Sequence, residues 1–86
     1  MYRIEIAPSA LKFLTKLART HRPITDRIVA AIDNLAADPR AGKKLSGKFS
    51  DLLSLRVGDY RVIYTIIEDR ILLQVVRIGH RKEVYR

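Results

Sequence analysis

Apolar and charged residues alternate at the start of the chain. Tyr2, Ile4 and Ile6 fall on one side and Arg3 and Glu5 on the other, the period of a strand with one buried face. Pro8 closes that segment and suits the first turn of a helix. From Ser9 to about Arg19 the period changes: Ala10, Leu14, Leu17 and Ala18 share a helical stripe with Leu11 beside it, opposite Lys12, Lys16 and Arg19. Phe13 lies off the stripe and is placed to cover a neighbouring surface. Thr20-His21-Arg22-Pro23 breaks the pattern, with His21 read as a solvent-exposed loop histidine, and Pro23 helps start a second helix. There Ile24, Ile28, Ala31, Ile32 and Leu35 recur at spacings of three and four until Asp38-Pro39 ends it. So short a connection predicts an antiparallel helical hairpin.

Residues 40–50 contain Gly42 and Gly47 and read as a loop. After Asp51 the period is two. Leu53, Leu55 and Val57 alternate with Leu52, Ser54 and Arg56; Gly58-Asp59 forms a hairpin turn; Tyr60, Val62, Tyr64 and Ile66 then alternate with Arg61, Ile63, Thr65 and Ile67. Glu68-Asp69-Arg70 turns the chain again. Ile71 to Ile78 is apolar on both faces apart from Gln74 and Arg77, as befits a strand inside a sheet. The predicted fold is α+β, in the order β-α-α-β-β-β, with an antiparallel sheet and the helical hairpin packed on one face. The whole of residues 1–86 reads as one domain.

The alternation has a chemical consequence. With Tyr60, Val62, Tyr64 and Ile66 turned to the helices, Arg61 points to the open face. On the last strand Leu72, Val76 and Ile78 are expected against the helices, which puts Leu73, Val75 and Arg77 with Arg61, and Arg81 just beyond the strand end. Arginines keep their charge at any physiological pH, so three of them converging there suit a phosphate. His80 can move a proton near neutral pH, and Tyr85 can stack on a base or exchange a proton. The alternative is that each arginine pairs with Asp59, Asp69 or Glu83. The same face is expected to carry large apolar residues, Ile63, Ile67, Leu73 and Val75, with Leu52 near. A bare apolar sheet face on a small chain calls for a cover, either the loop at 40–50 or a partner segment such as an amphipathic helix or an added strand.

Charge strengthens the phosphate reading. Seventeen Lys and Arg against nine acidic residues give a net charge of +8, an excess that favours a polyanionic partner, nucleic acid first. In the loop, Lys43, Lys44 and Lys48 are placed to meet a phosphate backbone or solvent, without the spacing of a nucleotide-binding P-loop. There is no cysteine and the two histidines lie far apart, so neither a disulfide framework nor a zinc site is indicated, and no cofactor is expected. Met1 to Glu5 does not resemble a signal peptide and no apolar run is long enough to span a membrane, so a soluble cytoplasmic protein is expected.

Two segments together carry a family resemblance: Leu55-Arg56-Val57-Gly58-Asp59-Tyr60-Arg61-Val62-Ile63-Tyr64, and Val76-Arg77-Ile78-Gly79-His80-Arg81-Lys82-Glu83-Val84-Tyr85. In this order they resemble the RelE branch of the RelE/ParE toxins, and the element order and Asp38-Pro39 fit as well. The resemblance implies a toxin of a type II toxin–antitoxin module that cleaves mRNA in the ribosomal A site and inhibits translation. Cleavage in that branch proceeds without metal, by attack of the ribose 2′-hydroxyl on the adjacent phosphate. It further implies a RelB-like acidic antitoxin that wraps the toxin, here over Leu52, Ile63, Leu73 and Val75. By the same resemblance Arg61 and Arg81 match phosphate-binding arginines and Tyr85 the C-terminal catalytic tyrosine. Many relatives carry two lysines where this chain has Leu52 and Ser54. His80 and Glu83 then become candidates for acid–base work, and Arg77, Arg56, Lys44 and Lys48 for binding the RNA. Two other readings stand beside this one, a ParE-like toxin that poisons DNA gyrase and a non-catalytic basic RNA-binding homologue.

Overall fold

The computed structural model describes residues 1–49 and 51–82. In chain order these form β1 (Arg3–Ile6), α1 (Pro8–Thr20), α2 (Arg22–Leu35), β2 (Lys43–Lys44), β3 (Leu53–Val57), β4 (Tyr60–Ile67) and β5 (Leu72–His80). Short 3-10 turns at Gly47–Phe49 and Glu68–Arg70 precede β3 and β5. Prolines stand in the first turns of both helices, where the missing N–H costs no intrahelical bond. The break at His21 is a single residue, so α1 and α2 fold back on each other as a hairpin. α1 lies over β5 and α2 over β3.

The sheet order is β1-β5-β4-β3-β2. β2 to β5 run antiparallel to their neighbours, as the alternation predicts, while β1 joins the outer edge of β5 in parallel. The sheet is thus mixed, because the two helices carry the chain from β1 across one face before β3 begins. The segment expected to be a loop contributes β2, two residues long, paired Lys43 with Ser54 and Lys44 with Leu53. The core lies between sheet and helices. Ile28, Val62, Tyr64, Leu73 and Val75 are fully buried there, with Leu14, Ile32, Leu35, Val57 and Ile78 around them.

Leu73 and Val75 therefore belong to the core and not to the open face. The reason is a β-bulge. Tyr64 pairs with Val75 but Ile63 pairs with Arg77, so Val76 is an extra residue on β5. Before the bulge the odd-numbered Leu73 and Val75 face the helices; after it the even-numbered Ile78 does. Strict alternation across residue 76 assigned half of this strand to the wrong side. Arg77 nevertheless reaches the open face, because it lies beyond the bulge beside Ile63.

The Gly58-Asp59 connection is a two-residue hairpin with Gly58 at φ +61°. Positive φ at the first central residue and not the second is the pattern of a type II′ turn, which suits the twist of the flanking strands. No helix among the described residues is long and apolar enough to cross a membrane.

Candidate phosphate-binding face

The face turned away from the helices is built by strand register. Arg56 lies directly opposite Arg61, and Arg61 opposite Gly79, forming one row across β3, β4 and β5. The next row is Lys43, Ser54, Ile63 and Arg77, across all four antiparallel strands. Like charges directly opposite on a sheet are destabilising, so the Arg56–Arg61 pair works against the fold of the isolated protein. Gly79, itself buried, contributes no side chain between Arg61 and the edge of β5.

The Gly58-Asp59 turn gathers two further groups. Arg56 Nε donates to the Gly58 carbonyl at 3.1 Å, and the Arg81 N–H donates to the Asp59 carbonyl at 2.8 Å. Arg81 Nε stands 3.9 Å from the Asp59 carboxylate in a pair that is largely exposed, a contact of little energetic weight in water. Arg61 differs from both: its Nε is buried and has no hydrogen-bond partner among the described residues. A buried guanidinium N–H without an acceptor costs free energy.

Several expected members of this site lie elsewhere. His80 is register-paired with Tyr60, their ring centroids 5.7 Å apart and nearly perpendicular, and Tyr60 packs in turn on Phe13 of α1 at 6.0 Å. His80 is therefore on the helix side of β5, joined to an aromatic edge, and not beside Arg61 and Arg77. Its Nδ1 accepts from the Lys82 N–H at 3.3 Å. Lys44, opposite Leu53, also falls on the helix side, where it lines a groove with Arg40, Asp51 and Glu68. Lys48 lies outside the rows, its Nζ 5.3 Å over the Phe49 ring. Tyr85 and Glu83 are outside the described residues.

The apolar surface expected on this face is also smaller than alternation implied. Ile63 is there but only 4% exposed, and Leu72, which replaces Leu73 on this side, is 3% exposed. Leu52 is half-buried just before β3, its N–H bonded to the Phe49 carbonyl and its carbonyl to the Leu45 N–H. What the described residues present is mainly cationic and polar: Arg56, Arg61 and Arg77, with Thr65 and Gln74 alongside. Lys43 faces the same way, a placement that a two-residue strand is too short to signal through alternation.

Comparison with known proteins places this architecture. The model of the family described as the ParE toxin of the type II toxin–antitoxin system parDE matches residues 4–85. The chain belongs to the RelE/ParE superfamily of type II toxins. Within it, the chain is 31% identical to toxin RelG of Mycobacterium tuberculosis over 85 residues, 92% of this chain and 98% of that protein. It is 30% identical to toxin RelE of the same organism over 91 residues, 99% of this chain and 87% of that protein. The crystal structure of the toxin–antitoxin complex RelBE2 from M. tuberculosis contains a chain that superposes with a TM-score of 0.81 at 28% identity, covering 93% of this chain and 98% of that one. The helical hairpin packed on one face of a five-stranded mixed sheet is thus the fold of a RelE-like toxin.

Proposed function

We propose that this toxin is a ribosome-dependent endoribonuclease that cuts mRNA through the face holding Arg56, Arg61 and Arg77, with Arg81 at its border. The observation that carries the reading is Arg61, placed opposite a second arginine, its buried Nε without a hydrogen-bond partner among the described residues. Its resemblance to toxins named RelG and RelE, at 31% and 30% identity, supports the same class of target. In the proposed step the ribose 2′-oxygen attacks the adjacent phosphorus as its proton is withdrawn. The 5′-oxygen of the next nucleotide leaves and takes up a proton, yielding a 2′,3′-cyclic phosphate and a 5′-hydroxyl. Negative charge grows on the non-bridging oxygens as the fifth bond forms. Fixed cations in a partly dry site stabilise that charge more than they stabilise the bound substrate. Arg61 and Arg77 hold the phosphate, and Arg81 approaches from the turn. By the family resemblance Tyr85 is the candidate for proton transfer, since His80 lies against Tyr60 on the helix side. The partner is an acidic RelB-like antitoxin, whose carboxylates complement the +8 chain.

Regulated expression in a bacterial host, followed by mapping of mRNA 5′ ends, tests this reading. Cuts phased with codons on ribosome-engaged messages, lost in Arg81→Ala, are the expected result. Growth arrest with intact mRNA and broken DNA would instead identify a gyrase poison, and no toxicity would identify a non-catalytic homologue.

A further inference from the structure

The row Lys43, Ser54, Ile63, Arg77 crosses four strands, and its two ends are cationic. Adjacent strands are ~4.8 Å apart, so the row spans ~14 Å from β2 to β5, longer than one phosphodiester linkage. Lys43 is exposed and forms no ion pair among the described residues. Its strand is held in place although it is only two residues long. The Tyr64 hydroxyl donates to the Pro39 carbonyl at 2.8 Å and accepts from the Gly42 N–H at 2.9 Å, fixing the residue next to Lys43 to the centre of the sheet. Gly42 approaches so closely that a Cβ there would stand 2.6 Å from that hydroxyl oxygen. A lysine on an edge strand is ordinarily loose; this one is carried on a backbone anchored to a fully buried tyrosine.

The same face carries no aromatic side chain on its strands. Tyr60 and Tyr64 belong to the helix side, as does Tyr2, leaving arginines, aliphatic residues, Ser54, Thr65 and Gln74. Among the described residues the strands offer bases no stacking platform along the row, so contacts there fall on the sugar–phosphate backbone.

From this placement we infer that Lys43 is an RNA-binding residue. It holds a phosphate of single-stranded RNA at the β2 end of a track that runs across the strands from the arginine cluster. The inference rests on the proposed ribonuclease reading and adds to it a direction for the RNA and a contact remote from the cut. One phosphate contact on a single strand contributes ~0.7 to the slope of log K against log salt, or about fivefold in affinity near 0.1 M. The test uses the full chain and a short single-stranded RNA carrying 2′-O-methyl riboses, with binding followed by fluorescence anisotropy across a salt series. Lys43→Gln is expected to bind about fivefold more weakly, with the slope reduced by ~0.7, and Lys43→Arg to restore both. Lys12→Gln, the same charge change on the helix layer, should leave the slope unaltered. If Lys43→Gln keeps wild-type affinity and slope while Arg61→Gln is weakened, Lys43 is not on the track and the inference is overturned. If Arg61→Gln is also unaffected, the open face does not bind RNA, and the ribonuclease reading falls with the inference.

Discussion

Tyr64 shows how one side chain ties the core to the strand that carries Lys43. Its ring fills the centre of the core while its hydroxyl bridges Pro39 and Gly42, residues more than twenty positions away in the chain. Alternation is enough to place the ring in the core; the bridge depends on where a glycine-containing connection returns, which no local pattern encodes. Tyr64→Phe leaves a carbonyl and an N–H without their partner and should destabilise the protein by about 2 kcal/mol, read from chemical denaturation. Burial also raises the Tyr64 pKa above 10.0, its ordinary value, although the Gly42 N–H opposes this. The unfolded chain then releases the phenolic proton at lower pH than the folded one. The corresponding stability is intact below pH 10.0 and is lost as pH rises through the folded pKa, a loss absent in Tyr64→Phe. Ile71 is the converse case, a residue at odds with its backbone. It sits at φ +49°, and a β-branched side chain in that region is strained. Ile71→Gly is expected to gain about 1 kcal/mol in the same denaturation measurement, because the side chain is already more than half exposed.

Among the elements, both helices, β1, the hairpin turn and the β3–β4 alternation were legible in the sequence, since each has enough residues for its period to show. Two elements were not. β2 has two residues, and it decides which lysine of the Lys43-Lys44 pair shares the arginines' face. β5 contains the bulge at Val76, and one extra residue moved Leu73 and Val75 into the core and left Leu72 on the open side. Gly79 after the bulge is followed by His80 against Tyr60, so neighbours in the most charged stretch of the chain are distributed to opposite sides of the sheet. Alternation placed Arg61 and Arg77 on the open face, but His80 and Lys44, grouped with them as candidates, both lie on the helix side. The pairing of β3 with β4 also sets Arg56 against Arg61. Screening that repulsion should stabilise the protein as sodium chloride is raised. Arg56→Thr removes one charge and should show a gain smaller by about 0.5 kcal/mol, measured as the shift in denaturant midpoint between low and high salt.

At the scale of the whole molecule, the two layers divide the work. The helices and the buried side of the sheet supply stability, and the opposite side collects cations that stability alone would disperse. The net charge of +8 gives such a surface a long-range attraction for RNA and for an acidic partner, both weakened by salt. Membership of the RelE/ParE superfamily accounts for the fold; the proposed cleavage rests on Arg61. The most direct measurement is single-turnover cleavage of mRNA in a translating extract by the purified wild type and by Arg61→Ala. Loss of a group that stabilises charge at the reacting phosphate predicts cleavage by the wild type and a rate at least ~100-fold lower in the variant. Cleavage by Arg61→Ala at the wild-type rate, or no cleavage by the wild type, would contradict the account.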